Sequence, residues 1–144
     1  NCWLMRVVLD TNVFIAAALK GTLSEQILRL ATSGELSLII SKEILSELAE
    51  KLSSKFSWSS AEVSLYINTL REISEIVTPT KKINVVSSDP DDNKILEVAL
   101  EGEAKLVVSM DQDLLQLKNY QGIGIVHPKT LTWIFPKLFE NNKK

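Results

Sequence analysis

Two apolar runs in this chain each end close to an aspartate. Val7-Val8-Leu9 stops on Asp10, and Leu106-Val107-Val108 is followed by Ser109, Met110 and Asp111. Short, β-branched, uninterrupted runs of this kind read as strands buried on both faces. In open parallel α/β sheets, ligands gather outside the carboxyl ends of the strands. Asp10 and Asp111 therefore fall where chemistry is expected. Each also has a purely structural reading. Asp10 suits the N-cap of a helix from Val13, and Ser109 with Gln112 has capping-box spacing. A cap does not explain why both strands end this way.

Asp92 is harder to explain as structure alone. Asp92, Ile95, Leu96 and Ala99 follow the i, i+3, i+4, i+7 pattern, so Asp92 shares the apolar face of its helix. A carboxylate on a buried face needs a partner or a metal. Its neighbours account for themselves: Asp89 before Pro90 is a helix-start signature, and Asp91 adds first-turn charge. Glu47 is the fourth candidate. Among Glu43, Glu47 and Glu50 it lies nearest the stripe of Ile44, Leu45, Leu48 and Leu52, and its alternative is an ordinary solvated glutamate. Four carboxylates brought to strand tips and adjacent helix starts would form a site for a hard divalent cation, Mg²⁺ or Mn²⁺, held by oxygen. Such a site can activate water for attack on a phosphodiester. Without the cation, at least one carboxyl should have a raised pKa.

The elements needed to position these residues follow from the rest of the pattern. Strands are expected at Arg6–Leu9, Leu38–Ile40, Leu106–Ser109 and Ile123–Val126. Helices are expected at Val13–Leu19, Leu23–Thr32, Lys42–Leu52 after an N-cap at Ser41, Asp91–Leu100, Asp111–Leu117 and Lys129–Phe135. A capping box at Ser59–Glu62 opens a long helix to about Ile76, and Thr78–Val86 around Pro79 is a connection. Gly34 and Gly102 are stop signals. Strands alternating with helices argue for βαβ units and a parallel sheet.

Composition narrows the function classes. The chain has 144 residues, 45% hydrophobic and 24% charged, with net charge −2. That length suits one domain, expected over residues 5–136, with residues 1–4 an upstream or cloning remnant and 137–144 a flexible tail. One cysteine (Cys2) and one histidine (His127) exclude an internal disulfide and a Cys/His zinc site. His127, just before Pro128, reads as a loop or core histidine rather than a general base. From Asp89 to Asp113 eight acids face two lysines, a local net of −6 within a chain whose remainder is +4. That distribution fits either a cation site or a solvated acidic helix. No apolar run reaches the roughly 18 residues of a membrane helix, and no signal peptide is evident, so a cytoplasmic protein is expected.

Taken together, these segments resemble the PIN-domain ribonucleases. The resemblance rests on Val7–Phe14, the helix around Glu47, Asp89-Pro90-Asp91-Asp92-Asn93-Lys94-Ile95-Leu96, and Leu106–Leu115, and spans about Met5 to Phe135. It implies a three-layer α/β/α sandwich around a parallel sheet and Mg²⁺- or Mn²⁺-dependent cleavage of single-stranded RNA. It implies that Asp10, Glu47, Asp92 and Asp111 are the catalytic and metal-binding acids, with Asp113 an accessory ligand. Asn12 and Ser109 match polar positions beside the ligands or near substrate. The Asp-Pro-Asp-Asp run resembles toxin components of toxin–antitoxin pairs, which implies a small antitoxin partner and a homodimer or larger oligomer. Two other classes compete. One is a catalytically silent module that binds RNA or protein through the same fold. The other is a phosphoryl-transfer or receiver-type domain, which Asn12 disfavours because aspartyl-phosphate chemistry usually uses Asp-x-Asp.

Overall fold

Val7, Val8 and Leu9 are fully buried, as expected of a central strand. In the computed structural model they belong to β1 (Met5–Leu9), which pairs in parallel with β2 (Leu36–Ile40) on one side and β4 (Leu106–Val108) on the other. β3 (Ser74–Ile76) extends the sheet beyond β2, and β6 (Ile123–Val126) beyond β4, both in parallel. β5 (Asn119–Tyr120) closes the far edge antiparallel to β6. The strand order is β3-β2-β1-β4-β6-β5. The structure describes residues 5–86 and 89–140.

Eight helices among the described residues complete an α/β/α arrangement. They are α1 (Thr11–Ala18), α2 (Thr22–Thr32), α3 (Lys42–Ser54), α4 (Ser60–Ile73), α5 (Pro90–Glu101), α6 (Gln112–Leu115), α7 (Pro128–Ile134) and α8 (Pro136–Glu140). α5 packs across β1, β2 and β4, while α1 packs on α2 and α3, and α3 on α4. Ser41 caps α3 by accepting from Ile44 N–H, and Ser59 with Glu62 forms the expected capping box of α4. Gly34 follows α2 with φ +84°, a conformation suited to glycine. Gly102 ends α5 for another reason: a Cβ there would collide with Ile39 Cγ2 on β2, so its absence lets helix and sheet approach. No helix among the described residues is long and apolar enough to cross a membrane.

Several boundaries differ from the sequence pattern. The helix expected to reach Ile76 stops at Ile73, because Ser74–Ile76 pairs with Leu38–Ile40 as β3. Edge pairing overrides helical propensity there. β5 and α8, only two and five residues long, carry too short a pattern to be read from the sequence. Phe139 of α8 is buried in the core, so packing continues past the boundary expected at residue 136. The remnant expected at residues 1–4 and the last four residues of the tail expected at 137–144 lie outside the described residues.

Candidate metal centre at the carboxyl ends of the sheet

The chain visits β1, β2 and β3 in one direction across the sheet, then returns to place β4 on the other side of β1. The crevice between β1 and β4 is therefore the switch point of a doubly wound sheet, where ligands bind. Register pairs Leu9 with Val108, so Asp10 and Ser109 leave the sheet side by side. Asp10 N–H donates to Val108 C=O at 2.9 Å, and Ser109 N–H to Val126 C=O at 3.0 Å. Both residues are buried.

Asp10 holds the N-cap position of α1, but its side chain makes no capping hydrogen bond. Its Oδ2 instead accepts the Ser109 hydroxyl at 2.7 Å. The same Ser109 Oγ accepts Asp111 N–H at 2.9 Å, so one hydroxyl ties the two strand ends together. Ser109 and Gln112, despite their capping-box spacing, do not cap α6. Asp111 caps α6 itself, its Oδ1 accepting Asp113 N–H at 2.8 Å.

Asp92 arrives from α5. Asp89 caps this helix by accepting Asp91 N–H, and Pro90 opens its first turn. That start turns Asp92 inward with Ile95, Leu96 and Ala99, all buried. Its Oδ2 is buried with no hydrogen-bond partner. One carboxylate oxygen each from Asp10, Asp92 and Asp111 lies within 4.8 Å of the other two. The Asp92 carboxyl is pushed up to about 8 by burial and by the charges of Asp111, Asp10 and Asp89. Asp10 is raised too, mainly by burial, although the Ser109 hydroxyl and the Thr11 amide lower it. Three converging acids, one with an orphaned buried oxygen, fit a hard cation: oxygen donors are what Mg²⁺ and Mn²⁺ prefer.

These residues line a cleft of about 40 Å³ together with Thr11, Asn12, Glu47, Lys51, Asp89 and Asp91. That volume suits an ion and roughly one water. Glu47 lies in the wall of the cleft and outside the group of three. Thr11 Oγ1 donates to Glu47 Oε1 at 3.2 Å, and Lys51 Nζ lies 3.7 Å from Oε2. Asn12 is exposed at the rim. Asp113 is neither in the group of three nor in the cleft wall.

A PIN-domain family model matches residues 6–113, a span that contains every acid of this site. The chain belongs to the PIN-domain family. This PIN domain is also 32% identical over 143 residues to an uncharacterized protein of Methanocaldococcus jannaschii, with 94% of this chain and 89% of that protein covered. Membership carries nuclease-type hydrolysis as the general class of activity.

Not every acid in the acidic stretch of the PIN domain serves the centre. Glu97 accepts Ile83 N–H at 3.0 Å, and Glu101 accepts both Thr80 N–H and its hydroxyl. Those two glutamates hold the Thr78–Val86 connection against α5. His127 caps α7, with Lys129 N–H donating to Nδ1, as a loop histidine would. Sequence reasoning missed Thr11 and Lys51. Lys51 follows Glu47 by four positions, a helical pairing distance visible in the sequence.

Proposed function

We propose that this PIN domain is a divalent-cation-dependent endoribonuclease that cleaves phosphodiester bonds of single-stranded RNA in the cytoplasm. The observation that carries this reading is the partnerless buried oxygen of Asp92, within reach of Asp10 and Asp111. Asp10, Asp92 and Asp111 would hold Mg²⁺ or Mn²⁺. When bound, such a cation supplies Lewis acidity that polarises the phosphoryl group and offsets its developing charge.

The chain's own residues do the rest. Ser109 fixes the Asp10 carboxylate, and the α6 cap fixes Asp111. Glu47, held between Thr11 and Lys51, would help hold the cation or orient the attacking water. Asn12 at the rim would contact the substrate strand, and Asp113, whose backbone amide is held by Asp111, would be an accessory acid. Hydrolysis consumes one water and breaks one P–O ester bond. The Asp89-Pro90-Asp91-Asp92 run supports the narrower reading of a toxin held by a small antitoxin, acting as a homodimer or larger oligomer.

The test incubates single-stranded RNA with the wild-type protein, Asp10→Asn and Glu47→Gln, with and without Mn²⁺. The proposal expects Mn²⁺-dependent cleavage that Asp10→Asn reduces by at least about 100-fold. Glu47→Gln should lose turnover while still binding Mn²⁺ in calorimetry. Unchanged cleavage by Asp10→Asn would sink the mechanism. RNA binding without Mn²⁺ binding would point to a silent binding module.

A further inference from the structure

A second groove, about 300 Å³, lies at the same carboxyl edge of the sheet, between the start of α3 and the 78–86 connection. Lys42, Lys81 and Lys82 line it, and all three are exposed. None of them has an acidic partner within 4.0 Å among the described residues, whereas Lys51 and Lys94 are both paired. The acids of this groove are already engaged. Glu43 pairs with Lys94 at 3.3 Å, and Glu97 accepts the Ile83 amide. Three such lysines lining one groove give it a local positive charge in a chain of net charge −2.

The lysine pair is held rather than loose. Thr80 on one side is anchored to Glu101 and Ile83 on the other to Glu97. Asn93 then fixes Val85 and Val86. Lys81 and Lys82 are thus presented from a short segment tied at both ends. The groove also adjoins the acidic cleft. α3 lines the groove with Lys42 and Glu43 and the cleft with Glu47 and Lys51. Lys94 bridges Glu43 of the groove to Asp91 of the cleft, at 3.3 and 3.6 Å.

We infer that Lys42, Lys81 and Lys82 form a phosphate track that binds the backbone of the single-stranded nucleic acid whose scissile bond lies at the Asp10–Asp92–Asp111 centre. The inference rests on the ribonuclease reading above. The acidic cleft is too small for a nucleotide and repels phosphates, so affinity must come from outside it. Lysines bind phosphate as point charges without reading sequence.

The test measures binding of a labelled oligouridylate of about 12 nucleotides to Asp10→Asn protein across a salt series. Replacing all three lysines by glutamine should weaken binding roughly tenfold and reduce the salt slope by about 2, near 0.7 per lost phosphate contact. A charge-matched Lys55→Gln, Lys105→Gln, Lys118→Gln variant should bind as the parent does, and arginine at the three groove positions should restore binding. Unchanged affinity and slope in the glutamine variant would overturn the track. So would a loss shared equally with the charge-matched variant, or one seen for a polyglutamate peptide alone. If the wild-type protein cleaves nothing while lysine-dependent binding persists, the nuclease reading falls and the track stands. Normal cleavage with lysine-independent binding removes the track alone.

Discussion

Asp10 Oδ2 accepts a hydrogen bond from the Ser109 hydroxyl at 2.7 Å, although the two residues lie 99 positions apart in the chain. The bond spans the neighbouring ends of β1 and β4, and the same oxygen takes the Asp111 amide. One small buried side chain thus sets the spacing of two of the three central acids.

Ser109→Ala removes that bridge and leaves a carboxylate oxygen and an amide without their partner. The expected cost is about 1–3 kcal/mol in urea denaturation. Loss of the hydrogen bond should raise the Asp10 carboxyl further, since the Ser109 hydroxyl now lowers it. Mn²⁺ affinity measured by calorimetry should fall roughly 10- to 100-fold, as for other groups that orient metal ligands. Wild-type affinity in this variant would show that Ser109 does not position the site.

Asp92 predicts how the cation-free protein responds to pH. Its folded carboxyl is raised to about 8, whereas an unfolded aspartate titrates near 4. Between those values the folded chain keeps a proton that the unfolded chain has released. Stability of the chelator-treated protein should therefore fall as pH rises from about 4 to about 8. Asp92→Asn should flatten much of this decline and melt higher than wild type at pH 8. With saturating Mn²⁺ the trend should oppose it, because the ligands must be deprotonated to bind. A wild-type melting temperature that climbs across this window in chelator would contradict the electrostatics of the cluster.

Asn93 carries the third prediction. Its Oδ1 accepts Val85 N–H and Val86 N–H, and its Nδ2 donates to Val86 C=O at 2.8 Å. Asn93→Ala strands these backbone groups and should cost about 2–3 kcal/mol in denaturation. Amide exchange should accelerate at Val85 and Val86 before the sheet is affected. Asn93→Asp keeps the acceptor but loses the donor, and should fall between the two. Exchange unchanged in Asn93→Ala would mean the connection is held by the glutamates alone.

The amphipathic period of α5 was enough to bring Asp92 inside, since four positions on one face leave few alternatives. The strand runs likewise placed Asp10 and Asp111 at the sheet's carboxyl edge. What the sequence could not decide was whether Asp10 caps its helix. That depends on Ser109, a partner supplied by another strand. The role of Ser109 was hidden for the same reason, because local spacing suggested a cap with Gln112 instead. The acidic stretch mixed two uses that charge cannot separate: Asp92 and Asp111 enter the centre, while Glu97 and Glu101 satisfy backbone amides of the 78–86 connection. β3 is masked in the sequence because three residues at a sheet edge carry too short a pattern to outweigh a long helical one.

The placement of β4 beside β1 also sets when the centre comes into being. Synthesis proceeds from the amino terminus, so Asp10 and β1 emerge before β4. Its hydroxyl partner and Asp111 belong to a strand made almost a hundred residues later. Until β4 is available to fold, the early aspartate has neither neighbour. A partly translated chain therefore holds only scattered carboxylates, and the three acids can converge only once β4 has joined β1.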